Sequence, residues 1–201
     1  MILPNQLTTL RILLTPIFLF LFLSENSELK QLSLLIFTIA SITDWYDGWL
    51  ARKFNYITAW GKFMDPLADK ILTSAAFFAF VSTGVLELWM VLIVVFRDIF
   101  VTGLRLFAEW KNKIFTTSRL AKIKTAIQMT FIFYILIVYT LKENGFIKSN
   151  FSDLIEILTN SYFIFYSMLM ITLFTLITGL IYINQNKMMI FQLFFNSGKK
   201  D

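Results

Sequence analysis

The sequence predicts an all-α, polytopic membrane protein with a single domain over residues 1–201, six transmembrane helices and both termini in the cytoplasm. Hydrophobic residues make up 57% of the chain and charged residues only 15%, whereas a soluble domain carries roughly 25% charged residues. Several apolar stretches of about 17 or more residues have the length needed to cross a bilayer. Both observations favour membrane spans over a water-facing fold.

Six apolar stretches define the elements, and they cover roughly residues 7–23, 31–50, 66–84, 88–108, 122–141 and 159–183. The first stretch lacks a basic leader and is followed by SENSELK rather than by a small-residue cleavage site. We therefore interpret it as a retained span and not as a signal peptide. The chain shows no internal repeat or low-complexity linker, which agrees with one domain.

Basic residues in the connections set the orientation. Eleven Lys and Arg residues lie in the connections 51–65 and 109–124 and in the tail, against three in the alternate connections. Cytoplasmic loops carry the excess of Lys and Arg, so these segments and both termini are predicted to face the cytoplasm. The net charge of +5 is explained by this bias and by attraction to anionic lipid, so no nucleic-acid partner is expected.

Two residue types are missing from the chain, which contains no cysteine and no histidine. Disulfides, thiolate or imidazole catalysis and zinc sites built from nitrogen or sulfur are therefore excluded. A bound metal would be held by oxygen atoms, which favours a hard cation such as Mg²⁺, Mn²⁺ or Ca²⁺. A general base would have to be Asp, Glu, Lys or Tyr.

Four aspartates lie in the stretch TDWYDGWLARKFNYITAWGKFMDPLADK, residues 43–70. Asp44 and Asp47 are three residues apart near the end of the second span, so they share one helix face. Asp65 and Asp69 are four apart and open the third span, with Pro66 expected at the first helical position. Only a short loop joins the two helices, so the pairs are expected to face each other. Four carboxylates there would repel each other unless cations lay between them.

These aspartates have three interpretations. They could be structural, as caps or interfacial groups, but ionisable residues inside a membrane span point to function. They could line a cation pathway. The third interpretation is a metal-bound pyrophosphate site, because Gly48 allows close approach of a bulky group and Arg52 is suited to bidentate contact with a phosphate. A cation pathway needs neither Gly48 nor Arg52, so we favour the pyrophosphate site.

The pattern Asp44-x-x-Asp47-Gly48-x-x-Ala51-Arg52, eight residues, then Gly61-x-x-x-Asp65-x-x-x-Asp69 resembles the signature of the CDP-alcohol phosphatidyltransferases at every fixed position. Membrane polyprenyl transferases also use aspartate-rich motifs, but their pattern lacks the Gly and Ala-Arg elements. The resemblance extends to PNQLTTLRILLTP, FRDIFVTGLR and KIKTAIQM, so it covers most of residues 4–130. One departure is Ala121, where glycine is expected.

The resemblance implies transfer of a phosphatidyl group from CDP-diacylglycerol to an alcohol, with release of CMP. It implies that Asp44, Asp47, Asp65 and Asp69 bind divalent cations, Mg²⁺ or Mn²⁺ and two per site, and that Asp69 is also the catalytic base. The CDP-diacylglycerol-binding residues it implies are Asn5, Thr8, Asp47, Gly48, Arg52 and Thr58. Capping of the first helix is an alternative role for Asn5 and Thr8.

The acceptor site is expected to be formed by four cationic residues. They are Arg97 and Arg105 in span 4 and Lys122 and Lys124 at the start of span 5. Membrane anchoring is an alternative for the two lysines. Pairing of Arg97 with Asp98 is not expected, because neighbours on a helix point apart.

A buried positive cluster needs an anion, which the phosphate of glycerol 3-phosphate would supply. The GLR and KIKT blocks favour that acceptor as well, over inositol phosphate or phosphatidylglycerol. Phe100 and Leu104 are predicted to wall the pocket. The resemblance also implies a homodimer surrounded by membrane lipids in the bacterial inner membrane, with the active site facing the cytoplasm.

Overall fold

The chain folds into a bundle of helices. The computed structural model describes residues 3–54, 59–111, 113, 115, 119–143 and 151–195. No strand occurs in these ranges. The described helices are α1 (Leu3–Phe22), α2 (Ser27–Phe54), α3 (Ala59–Ser82), α4 (Leu88–Trp110), α5 (Arg119–Glu143), α6 (Ser152–Leu158) and α7 (Ser161–Phe195). The all-α prediction is confirmed for this part of the chain.

Each predicted span falls on one of the long helices, but the predicted start of α3 was wrong. α3 begins at Ala59, so Pro66 lies inside the helix and not at its first position. The φ angle fixed by the proline ring is helical, so the helix continues through Pro66 with the loss of one backbone hydrogen bond. Asp65 and Asp69 are therefore nearly two and nearly three turns inside a helix rather than at its beginning.

Two stretches of the described helices are long and apolar enough to cross a membrane by length and composition, Leu120–Glu143 and Ser152–Leu193. Gln6–Phe22 is a shorter apolar helix. Large apolar side chains also cover the outer surface, for example Phe20, Phe96 and Met170, each more than 70% exposed. A surface of this kind suits contact with lipid.

The core contains several phenylalanines among aliphatic side chains and lies where α1, α2, α3, α4, α5 and α7 meet. The ring centroids of Phe18 and Phe37 are 5.2 Å apart, and those of Phe22 and Phe80 are 5.5 Å apart. Such ring pairs add directional contacts to the burial of apolar area. They tie α1 to α2 and α3, the two helices that carry the aspartates discussed below.

The turn between α3 and α4 is closed by a glycine. Gly84 has a φ of 72°, a left-handed conformation that residues with a Cβ adopt at a cost. The Gly84 amide donates to the Val81 carbonyl at 2.9 Å, and the Val85 amide donates to the Phe80 carbonyl at 2.9 Å. This Schellman arrangement ends α3 sharply and returns the chain as α4. α4 then packs against α3 and α7.

Candidate active site

Asp44 and Asp47 are joined by an arginine from α1. Arg11 is fully buried, and its Nη2 donates to Asp47 Oδ2 at 2.6 Å. Its Nη1 lies 2.7 Å from Asp44 Oδ1 as an ion pair that lacks hydrogen-bond geometry. The guanidinium therefore supplies a positive charge shared by both carboxylates of α2.

Asp65 and Asp69 lie on α3 close to the first pair. The Thr8 hydroxyl donates a hydrogen bond to Asp65 Oδ1, and Lys70 Nζ lies 2.8 Å from Asp69 Oδ2. The negative charges of Asp65 and Asp69 both act on Asp44, so the four carboxylates occupy one neighbourhood. We call Asp44, Asp47, Asp65 and Asp69 the aspartate cluster.

The donor chemistry of the aspartate cluster fits a hard divalent cation, because every candidate ligand atom is a carboxylate oxygen. Among the residues that the structure describes, however, no three such side chains are grouped closely enough to hold an ion as they stand. Arg11, Thr8 and Lys70 hold the carboxylates instead. Cation binding would therefore compete with these contacts.

A cavity of about 660 Å³ opens beside the aspartate cluster and has the size of a small-molecule site. We call it the basic cavity, because its lining includes five cationic side chains and two carboxylates. The charged lining residues and the tyrosine that faces them are Asp69, Lys70, Arg97, Asp98, Arg105, Lys122, Lys124 and Tyr182. Asp69 belongs to both regions, so the basic cavity reaches the aspartate cluster directly.

Asp98 is the central anion of the basic cavity. Lys124 Nζ lies 2.5 Å from Asp98 Oδ1 and 2.6 Å from Oδ2, and both side chains are buried. Arg97 Nη1 also donates to Asp98 Oδ1, at 3.2 Å. The expectation that Arg97 would not pair with Asp98 was therefore wrong, because the long arginine side chain folds back to its neighbour.

The predicted acceptor residues are all in the lining of the basic cavity, but they differ in exposure. Arg97 and Lys124 are largely buried, whereas Lys122 is exposed. Arg105 is half exposed, and its Nε donates to Glu109 Oε1 at 3.1 Å. Two cations are thus built into the interior and two face the opening.

The prediction that Phe100 and Leu104 form an apolar wall of the pocket was wrong. Phe100 is 45% exposed and stacks on Phe96, with ring centroids 6.0 Å apart. Leu104 packs against a small separate core that includes Ala108. Neither residue belongs to the lining; Val101 lies there instead. The helical spacing of Arg97, Asp98, Val101 and Arg105 places one partly polar face of α4 on the cavity, and Phe100 lies on a different face.

The predicted donor residues are only partly described. Thr8 is buried beside Asp65, and Gly48 lies half-buried on α2 one residue beyond Asp47. Thr58 and the side chains of Asn5 and Arg52 lie outside the described residues.

Four polar residues of the site were not predicted, namely Arg11, Lys70, Asp98 and Tyr182. Arg11 and Asp98 are ionisable residues inside apolar stretches, so the rule that singled out the aspartates applies to them as well. Lys70 sits directly beside Asp69 in the sequence. Tyr182 carries no sequence signal.

The chain belongs to the CDP-alcohol phosphatidyltransferase family, whose sequence model matches residues 1–195. Members of this family generally use divalent metal ions. Family membership and the apolar helices together indicate an integral membrane protein.

Three curated relatives carry the name CDP-diacylglycerol–glycerol-3-phosphate 3-phosphatidyltransferase. The protein from Bacillus subtilis (strain 168) is 41% identical over 139 residues, which covers 63% of this chain and 72% of that protein. The protein from Rickettsia typhi is 40% identical over 127 residues, covering 63% and 71%. The protein from Wigglesworthia glossinidia brevipalpis is 37% identical over 141 residues, covering 66% and 75%.

Proposed function

We propose that this protein transfers the phosphatidyl group of CDP-diacylglycerol to glycerol 3-phosphate, giving phosphatidylglycerophosphate and CMP. This reaction would be the first step of phosphatidylglycerol and cardiolipin synthesis. The observation that carries the proposal is the basic cavity, in which five cationic side chains and two carboxylates adjoin Asp69. An excess of positive charge suits a phosphorylated acceptor, and the relatives bear the name of this activity.

Asp69 is the proposed general base. It lines the basic cavity, so an acceptor hydroxyl bound there lies on the same side as its carboxylate. The hydroxyl oxygen attacks the phosphorus of the phosphatidyl group, its proton passes to Asp69, and the P–O bond to CMP breaks. The chain has no Cys or His to act as a covalent nucleophile, which favours direct displacement.

Asp44, Asp47, Asp65 and Asp69 are the proposed ligands of two divalent cations, Mg²⁺ or Mn²⁺. A cation bound there supplies positive charge for the pyrophosphate of the donor and for its leaving oxygen. Arg11 holds the two carboxylates of α2 in one place and limits their mutual repulsion. Reactants positioned by fixed groups lose less entropy on reaching the transition state.

Four cationic residues are proposed to bind the phosphate of glycerol 3-phosphate, namely Arg97, Arg105, Lys122 and Lys124. All four line one cavity, and charge-assisted hydrogen bonds to phosphate are among the strongest available to a protein. Lys124 Nζ is already paired with Asp98. It therefore contributes mainly its positive charge to phosphate binding, rather than a free N–H donor.

The proposed residues for CDP-diacylglycerol are Asn5, Thr8, Asp47, Gly48, Arg52 and Thr58. Gly48 has no Cβ, so a pyrophosphate could approach the backbone beside Asp47. The acyl chains would lie among the bilayer lipids and need no polar partner.

We further propose six membrane spans, both termini and the active site at the cytoplasmic face of the bacterial inner membrane, and a homodimer. The distribution of basic residues between alternate connections supports this orientation. The dimer rests on the family resemblance alone.

The test is an acceptor screen with purified protein, CDP-diacylglycerol and Mg²⁺, with CMP release as the readout. Glycerol 3-phosphate should support release, and free glycerol, serine, inositol phosphate and phosphatidylglycerol should not. Release with inositol phosphate or phosphatidylglycerol instead would assign another acceptor within the family. A protein that moved cations and bound no CDP-lipid would be a transporter, and the proposal would fail.

A further inference from the structure

The final helix contacts the acceptor residue Arg97 at a glycine. A Cβ added to Gly179 of α7 would lie 3.0 Å from Arg97 Nε, 3.1 Å from Cγ and 3.6 Å from Cδ. The first two distances are shorter than ordinary van der Waals contact. The arginine side chain therefore occupies space that exists because residue 179 has no side chain.

Arg97 has little freedom to move away from α7. Its Nη1 donates to Asp98 at 3.2 Å, and its Nη2 donates to the Thr178 hydroxyl at 3.2 Å. The guanidinium is thus held at two of its three nitrogens, one on its own helix and one on α7. A side chain at residue 179 would push against the stem of an arginine whose head is fixed.

Two polar atoms at this contact lack partners. Arg97 Nε and Tyr182 Oη are buried, and neither has a hydrogen-bond partner in the part of the chain that the structure describes. Both residues line the basic cavity, and the charges of Arg97 and Arg105 act on Tyr182. A buried donor without a partner is costly, so a ligand that supplies an acceptor atom there is favoured.

We infer that α7 forms a specificity-determining wall of the acceptor site. Gly179 provides the space in which Arg97 lies, Thr178 fixes its guanidinium, and the Tyr182 hydroxyl together with Arg97 Nε binds oxygen atoms of the phosphorylated acceptor. Gly179 and Thr178 are positioning residues, because they act through Arg97. The inference rests on the proposed function and assigns a role to a helix whose sequence carries no recognised motif.

The main test compares Gly179→Ala with Gly103→Ala, both in purified full-length protein. Both glycines are helical, and a Cβ at Gly103 meets nothing within 4 Å, so the second variant controls for the general effect of alanine in a helix. Gly179→Ala should raise the KM for glycerol 3-phosphate about tenfold and leave the KM for CDP-diacylglycerol unchanged. Gly103→Ala should change neither constant.

A double variant separates positioning from a general structural effect. If Gly179 acts through Arg97, the variant carrying both Gly179→Ala and Arg97→Ala should be no worse for glycerol 3-phosphate than Arg97→Ala alone. Multiplied losses in the double variant would overturn the positioning role.

Tyr182→Phe tests the proposed role of α7 in the acceptor site independently of Gly179. It remains a test even if Gly179→Ala fails to fold. Phenylalanine keeps the ring contact with Phe115 and removes only the hydroxyl. The KM for glycerol 3-phosphate should rise several-fold, with the KM for CDP-diacylglycerol unchanged. If wild type releases no CMP with glycerol 3-phosphate, the proposed function fails and the inference with it. If wild type is active and both Gly179→Ala and Tyr182→Phe have the wild-type KM for glycerol 3-phosphate, only the inference fails.

Discussion

The aspartate cluster and the basic cavity meet at Asp69, but their charges are arranged in opposite ways. In the aspartate cluster, Arg11, Thr8 and Lys70 already contact the carboxylates. In the basic cavity, five cationic side chains share the lining with two carboxylates, so the lining has a net positive charge. The first region is only partly compensated by the protein, since two cations, Arg11 and Lys70, face its four carboxylates, whereas the second region has a surplus of positive charge that suits an anionic ligand.

This difference indicates how each region responds to substitution. Removing a partner inside the aspartate cluster leaves a buried carboxylate uncompensated, so folding stability should suffer. Removing a cation at the opening of the basic cavity leaves several others in place, so acceptor binding should suffer more than folding. The predictions below compare the two regions on this basis.

Arg11→Met should have the largest effect. It leaves Asp47 buried without its positive partner, and loss of one member of a buried pair costs about 3–5 kcal/mol. The free energy of unfolding in detergent measures the loss. The control is Lys30→Met, because the partly exposed pair of Lys30 with Glu143 should contribute less than about 1 kcal/mol. Equal losses in the two variants would contradict the compensated arrangement.

The second-largest effect is expected for Asn substitutions in the aspartate cluster. Asp44→Asn and Asp65→Asn should each lower CMP release about 100-fold or more, since each removes a charged ligand. A chelator should abolish the wild-type activity. Asp153→Asn is the control, because Asp153 is exposed on α6, where it accepts a hydrogen bond from Ser152. Near-normal turnover of both cluster variants would refute the role in cation binding.

Lys124→Met and Lys122→Met compare two lysines of the basic cavity. Lys124 is buried against Asp98, and Lys122 is exposed. Lys124→Met should cost about 2 kcal/mol of stability, less than Arg11→Met because Lys70 and Arg97 still act on Asp98.

Both lysine variants should raise the KM for glycerol 3-phosphate, but only Lys124→Met should lower the unfolding midpoint. Thermal unfolding and steady-state kinetics on the same preparations provide the measurements. A loss of stability in Lys122→Met equal to that in Lys124→Met would contradict the assigned burial.

The helices were largely predictable from sequence, because apolar stretches of bilayer length leave few alternatives. The start of α3 was not predictable, because residues 59–65 are not continuously apolar and Pro66 has the usual features of a first helical residue. The helix continues upstream because the ring of Pro66 fits helical backbone at the cost of one hydrogen bond.

The site was predictable where charge stands out against apolar sequence, as for the aspartates. The pairing of charged side chains inside the site was not predictable, because Arg11 and Asp47 are 36 residues apart in the sequence and Lys124 and Asp98 are 26 residues apart. The contribution of α7 carries no sequence signal. Gly179 and Tyr182 look like ordinary residues of an apolar helix until their contacts and burial are known.

Arg105→Ala should have little effect on stability and still weaken acceptor binding. Arg105 is half exposed and pairs with Glu109 one turn away, so its ion pair contributes less than about 1 kcal/mol to folding. In the proposed site it meets the phosphate at the opening of the cavity, where solvent screens the interaction. We therefore expect the KM for glycerol 3-phosphate to rise about tenfold, the lower end for a charge-assisted hydrogen bond. Glu109→Gln frees Arg105 without removing it, so it should leave that KM unchanged or lower it. An equal rise in KM for both variants would show that the ion pair matters, and that Arg105 itself does not bind the phosphate.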